Sequence, residues 1–212
     1  MDPQIRPYRP GDLEDLYRIC LLTADNGGDA TALFSDPKLP GHLFAAPYGV
    51  FQPSLAFIAE DQDGAAGYIV AALDTQEYEK TLERSWWPAL RERYPDPPGE
   101  AGQWTKEQLF MHLIHHRWDT PDELNGPYPS HMHIDLLPRL QGQGLGRRLI
   151  GTLAAALREQ GSPGLHLHVS PENKRARVFY DRVGFTARPD QDVSLYTMDL
   201  RRPAAADGPD RR

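Results

Sequence analysis

The chain has 212 residues, 40% of them hydrophobic and 25% charged, which is enough apolar material to bury one sizeable core. A formal net charge of −7 excludes the basic face that a nucleic-acid-binding surface needs, and it disfavours an anionic membrane surface. No apolar run approaches the roughly 18 residues of a spanning helix. One cysteine, Cys20, cannot form an internal disulfide, and residues 1–10 lack the basic start and apolar core of a signal peptide, so the expected location is cytoplasmic.

In chain order, residues 4–9 read as an extended start. Residues 11–24 form a helix on the stripe Leu13, Leu16, Tyr17, Cys20 and Leu21, with Asp12 as its N-cap. Residues 25–53 are broken by Gly and Pro and read as an irregular connection; Leu33, Phe34, Leu43, Phe44, Tyr48 and Phe51 give it an unusual apolar load. That load fits a packed connection or a partly covered substrate wall. Residues 55–60 and 66–73 are strands joined through Asp61, Gln62, Asp63 and Gly64, a hairpin signal.

Residues 74–130 form a helical insert with helices expected at 78–94 and 104–118, which together hold Trp86, Trp87, Trp104 and Trp118. An insert this apolar packs over one side of a sheet, where it shapes an acceptor site or makes a dimer contact; monomer and homodimer both stay open. Then come a strand at 131–137, a helix at 145–160 on Leu145, Leu149, Leu153 and Leu157, a strand at 165–170, a helix at 174–183 and a strand at 193–200. This alternation is an α/β arrangement of one domain, residues 1–200. After Leu200 no large apolar group follows, so residues 201–212 are expected to be a flexible tail.

The informative turn lies between the strand at 131–137 and the following helix. Gly142, Gly144 and Gly146 alternate there, letting the backbone approach a ligand and turn its N–H groups outward, while the helix start adds a positive dipole end. Arg147 and Arg148 oppose that dipole unless an anion is held nearby. A P-loop fails because Arg147 and Arg148 follow the last glycine, and a Rossmann turn fails because its sixth position is Arg147 or Leu149. Tight helix packing alone is the competing role for the glycines.

Gln141, Gly144 and Gly146, preceded by an apolar strand and Pro138, resemble the acetyl-CoA signature of the GNAT superfamily of N-acetyltransferases. Asn173, Ala176, Phe179 and Tyr180, followed by Val183, Gly184 and Phe185, resemble its second cofactor segment. The resemblance implies a central mixed, mostly antiparallel sheet with two splayed parallel strands, flanked by helices, with the insert before the fourth strand. It also implies acetyl-CoA as cofactor. Leu136 and Leu137 would hold the pantetheine and acetyl carbonyl, and Gln141, Gly142, Gln143, Gly144, Leu145, Gly146 and Arg147 the pyrophosphate. Asn173 would lie near the reacting end, with Arg139, Arg175 and Phe179 also toward the cofactor, and Tyr180 would donate to the departing thiolate.

A narrower likeness is carried by His133, Ile134, Asp135, Leu137, Pro138 and Arg139, and by Pro171, Glu172, Asn173, Lys174 and Arg175. These resemble the acetyltransferase-like C-terminal domain of animal O-GlcNAcase. That domain carries acidic residues where this chain has Gly142 and Asn173, so the expectation is a stand-alone relative competent for acetyl-CoA.

For the base, His131, His133 and Asp135 alternate onto one strand face, and His133 and Asp135 are the candidates carried forward with Tyr180; Glu60 is a further one. Tyr180 also fits a buried helix stripe with Ala176 and Val183. His166 and His168 could join the strand histidines on a metal, and His112 and His116 are one helical turn apart, but the Glu that a zincin needs after His112 is missing. No metal is expected. The acceptor is an amine on a small molecule, peptide or protein, and a non-catalytic acetyl-CoA-binding module is the alternative.

Overall fold

A computed structural model describes residues 2–116, 122–189 and 194–201. Of the expected features, Trp118, the first residue of the last strand (Val193) and the tail from residue 202 onward lie outside the described residues.

Strands β1 (Gln4–Pro7), β2 (Ala56–Asp61), β3 (Gly64–Ala72), β4 (Ser130–Leu136), β5 (Gly164–His168), β6 (Thr186–Ala187) and β7 (Leu195–Asp199) form one seven-stranded sheet in the order β1-β2-β3-β4-β5-β7-β6. Only β4 and β5 run parallel; the other neighbours are antiparallel, as expected for the mixed sheet. The β4–β5 pairing is confined to Ser130↔Leu165 and His131↔His166, whereas β4 stays in register with β3 all the way to Gly67↔Leu136. Beyond His131 the two parallel strands therefore part, leaving one edge of β4 without a strand partner.

Helices α1 (Leu13–Leu21), α2 (Leu39–Phe44), α3 (Ala46–Phe51), α4 (Thr75–Ser85), α5 (Trp87–Arg93), α6 (Lys106–His115), α7 (Asp122–Asn125), α8 (Leu145–Glu159) and α9 (Lys174–Arg182) flank the sheet. On α8, Leu145, Leu149, Ile150, Leu153, Ala154 and Leu157 form the buried stripe. Gly146 of α8 lies against Leu136, while Cys20 of α1 and Tyr48 of α3 lie on the opposite face, where Asp135 and His131 point. The two helical layers thus cover the two side-chain faces of β4.

The region 25–53 departs from the expected irregular connection, because it contains α2 and α3. Pro40 and Pro47 occupy the first turns of these helices, where the missing N–H has no intrahelical partner to lose, so the prolines start helices instead of breaking them. The same effect divides the expected helix 78–94 into α4 and α5, with Pro88 in the first turn of α5. Asp12 occupies the N-cap position of α1 without capping it. Its carboxylate instead accepts two bonds from Arg6, at 2.7 and 2.8 Å, and one from the Arg9 amide.

The insert packs as expected, with Trp87 fully buried. Phe110 of α6 meets Phe34 and Phe44 at ring distances of 5.0 and 5.2 Å, which fixes α6 against α2 at the mouth of the gap between β4 and β5.

Candidate active site

The parting of β4 and β5 opens a groove of about 580 Å³ lined from the glycine turn, α9, β4 and the end of α1. In an antiparallel pair, alternate residues turn their N–H groups to the partner strand. The Leu137 amide donates to Ala66, at 2.8 Å, so the alternation turns the amides of Ile134 and Leu136 toward the gap. Those two amides are donors aimed into the groove.

At the turn, Gly142 and Gly144 adopt φ of 75° and 76°, a left-handed conformation that costs other residues roughly 1–2 kcal/mol. A methyl group at either position would meet no atom within 4 Å, so the backbone there faces open space. Gly146 differs: a methyl there would come within 2.9 Å of the Phe179 ring. Two glycines therefore shape and expose the turn, and the third lets α8 and α9 pack closely. Gly144 is the N-cap of the 15-residue α8, so the dipole end points at the same open space.

Cations converge on this end. Arg147 and Arg182 line the groove, and the Arg147 guanidinium donates to the Arg182 carbonyl at 3.0 Å. Arg175 donates to Gln141 Oε1 at 2.7 Å, while Gln141 Nε2 donates to the Leu136 carbonyl at 2.6 Å. The glutamine thus ties the unpaired edge of β4 to α9. Asn173 caps α9, its Oδ1 accepting from the Ala176 amide at 3.0 Å. Among the described residues its side-chain amide nitrogen has no hydrogen-bond partner.

The other wall carries the titratable groups. Asp135 accepts a short bond from the Tyr68 hydroxyl, and Tyr68 in turn neighbours the buried Cys20. Burial pushes the Asp135 carboxyl up to about 6, against the opposing pull of the Tyr68 hydrogen bond. Burial, and then the Asp135 charge, push the Tyr180 phenol well above its ordinary value, so Tyr180 remains a hydrogen-bond donor at every working pH. Among the described residues the Tyr180 hydroxyl has no hydrogen-bond partner; its ring is wedged by Phe179, Phe185 and Tyr196. His133 lines the groove between Phe44 and Tyr48, both at 5.4 Å.

Residues 31–185 match the family model of the acetyltransferase (GNAT) family. The chain belongs to the GNAT acetyltransferase family. It is 38% identical to SsHAT, whose crystal structure aligns over 94% of this chain and 99% of SsHAT with a TM-score of 0.85. Protein O-GlcNAcase of Rattus norvegicus is 27% identical over 180 residues, which are 85% of this chain and 20% of that protein. Mycothiol acetyltransferase of Beutenbergia cavernae is 29% identical over 169 residues, 78% of this chain and 52% of that protein. The chain thus spans about a fifth of the O-GlcNAcase and about half of the mycothiol acetyltransferase. The expected family and the narrower likeness to O-GlcNAcase both hold.

Of the residues expected at this GNAT site, Leu136, Gln141, Gly142, Gly144, Leu145, Gly146, Arg147, Asn173, Arg175, Phe179, Tyr180, His133 and Asp135 all line the groove. Leu137, Arg139 and Gln143 are placed elsewhere. Leu137 is buried with its amide in the sheet, Arg139 pairs with Asp61 at 3.0 Å, and Gln143 donates to the Arg139 carbonyl at 2.7 Å. His131 has both ring nitrogens engaged: Thr75 gives its hydroxyl proton to the Pro129 carbonyl and so accepts from Nδ1–H, leaving Nε2 to accept from Tyr48. Glu60 belongs to the Arg6 ion pair at 2.7 Å. His166 is buried against the Tyr128 carbonyl at 2.7 Å, and burial pushes its pKa down to about 4.

Sequence reasoning missed Tyr68, Thr23, Asn26 and Arg182. They come from separate elements and share no spacing with the glycine turn. Phe44 belonged to the apolar load of region 25–53, but only the fold shows that it faces the groove together with Phe110.

Proposed function

We propose that this groove binds acetyl-CoA and that the protein is an N-acetyltransferase passing the acetyl group directly to an amine. The supporting observation is the continuous groove joining the open glycine turn to a half-buried carboxyl and a buried phenol. Its residues fit the group: Gly142 and Gly144 leave room for a diphosphate, Arg147, Arg175 and Arg182 supply the countercharge, and the β4 edge at Leu136 presents an amide. Gln141, Asn173 and Phe179 complete the wall on the α9 side. Acetyl-CoA supplies the acetyl group as a thioester open to attack by an amine.

The protein's own work follows from proton inventories. A lysine-like amine, with pKa about 10.4, is neutral about one time in 2,500 at pH 7, a handicap of about 4.6 kcal/mol. A proton acceptor is therefore needed, and Asp135, whose carboxyl burial raises to about 6, can take up a proton near neutral pH. His133 lies two residues away on the same strand face and can relay a proton through water. Tyr180, being a weaker acid than a thiol, acts by a positioned hydrogen bond and not by complete proton transfer. The Asp135 carboxylate and the Phe44–Phe110 pair suit an acceptor amine carried on an apolar stem, in a small molecule or a peptide.

The test is to combine calorimetry of acetyl-CoA binding with thiol release across an amine library. One bound equivalent with amine-dependent thiol release is expected. Absence of binding removes the proposal, and binding with no release for any amine leaves a non-catalytic acetyl-CoA-binding module.

A further inference from the structure

A second constellation lies in the helical insert and shares no residue with the groove. Helix α6 brings His112 and His116, one turn apart, onto one face, with rings stacked at 4.2 Å and 25°. Asp96, in the segment after α5, reaches both: Oδ1 is 2.8 Å from His112 Nδ1 and Oδ2 is 2.7 Å from His116 Nε2. His115 is turned away, to the Tyr94 carbonyl at 2.7 Å. The Trp104 ring lies against His112 at 4.5 Å, tilted by 46°, while its indole N–H donates to the Pro98 carbonyl at 2.9 Å, which holds the intervening chain beside the cluster.

We propose that Asp96, His112 and His116 form a binding site for a zinc-like divalent metal ion that staples the insert. One ligand atom from each residue can be chosen so that all three lie within 4.8 Å of one another. Tetrahedral zinc with bonds of about 2.0–2.1 Å needs its ligand atoms roughly 3.3 Å apart, so side-chain rotations that change these separations by up to about 1.5 Å complete the geometry. Two imidazoles with one carboxylate select zinc, nickel or copper over magnesium or calcium, and leave at least one position to water. Leu113, where a zincin would place its glutamate, is buried in the core, so the zincin base is missing and the role assigned to the ion is structural. The ion would join the chain at Asp96 to the end of α6, the helix that carries Phe110 to the groove. Metal occupancy therefore stiffens the acceptor wall without touching the reacting atoms.

The experiment uses tag-free protein, stripped with chelator, dialysed against zinc and assayed by elemental mass spectrometry. One retained equivalent is expected, with a rise in Tm over the stripped protein. D96N and the double variant H112Q/H116Q should bind zinc at least about tenfold more weakly, with acetyl-CoA affinity unchanged as a check on folding. In case either variant fails to fold, titration of the unmodified protein with cobalt(II) should give visible bands of a four- or five-coordinate site that zinc abolishes. No retained zinc, undiminished zinc in H112Q/H116Q, or only octahedral cobalt would each overturn the proposal; the second would move the metal to other histidines, and the third would leave Asp96 as a hydrogen-bond acceptor for two imidazoles.

Discussion

The two ends of the groove are built in opposite ways. The end at Gly142 and Gly144 comes from one short stretch of chain plus the two ends of α9, and its character is set by backbone conformation and arginines. The end at Asp135 takes side chains from α1, α2, β3, β4 and α6, and its character is set by burial. A site made of backbone tolerates most substitutions but not a Cβ at positive φ. A site made by burial depends on neutralising one titratable group, so its chemistry is exposed to pH and to single side-chain changes.

The largest effect expected from breaking this contrast is Asp135→Asn. Removing the proton acceptor should lower kcat by roughly 10²–10⁴, leave acetyl-CoA affinity unchanged and abolish the limb of the pH–rate profile that rises through about pH 6. Stability should move the other way. The folded carboxyl titrates above its unfolded value of 3.8, so ionisation opposes folding once the pH passes that value, and the opposition is complete above about 6. Asp135→Asn should therefore raise Tm at pH 7.5 and leave it little changed below pH 4, measured by calorimetry at both pH values.

Gly144→Val attacks the other end. It should weaken acetyl-CoA binding by roughly 10- to 100-fold, because a branched side chain is forced into φ near 76°, at roughly 1–2 kcal/mol, and projects into the open cradle. The amine KM, taken at saturating acetyl-CoA, should hold. The smallest effect expected is that of Phe110→Leu, a nearly volume-conserving change in the aromatic pair: a rise of about threefold in acceptor KM with cofactor affinity unchanged. Were Phe110→Leu to shift cofactor affinity instead, the division of the groove into two ends would fail.

Legibility in the sequence follows the same division. The glycine turn and the stripe of α8 could be read from local spacing, because each depends on residues within a few positions of one another, whereas the parallel pair β4–β5 came only from the family resemblance. Asp135 and His133 could be placed on one face by strand alternation, but the identical argument admitted His131, whose nitrogens the fold gives to Thr75 and Tyr48. Arg139 shows the reverse failure: beside the turn in sequence, it is drawn to Asp61 of the β2–β3 hairpin by a charge that only sheet pairing brings near. Pro40 and Pro47 read as breaks and Pro88 reads as an interior residue of one helix over 78–94, yet all three sit in the first turn of a helix, where a proline begins it.

By itself the sequence determined the α/β alternation and the glycine turn at Gly142 and Gly144, since these rest on short-range periodicity and backbone freedom, and its motifs carried the resemblance to the acetyltransferase family. Tertiary structure alone decided which carboxyl is buried, which histidine faces the groove and that Asp96 meets His112 and His116. Desolvation and ion pairing depend on neighbours far apart in the chain, and no local spacing encodes which of them will meet.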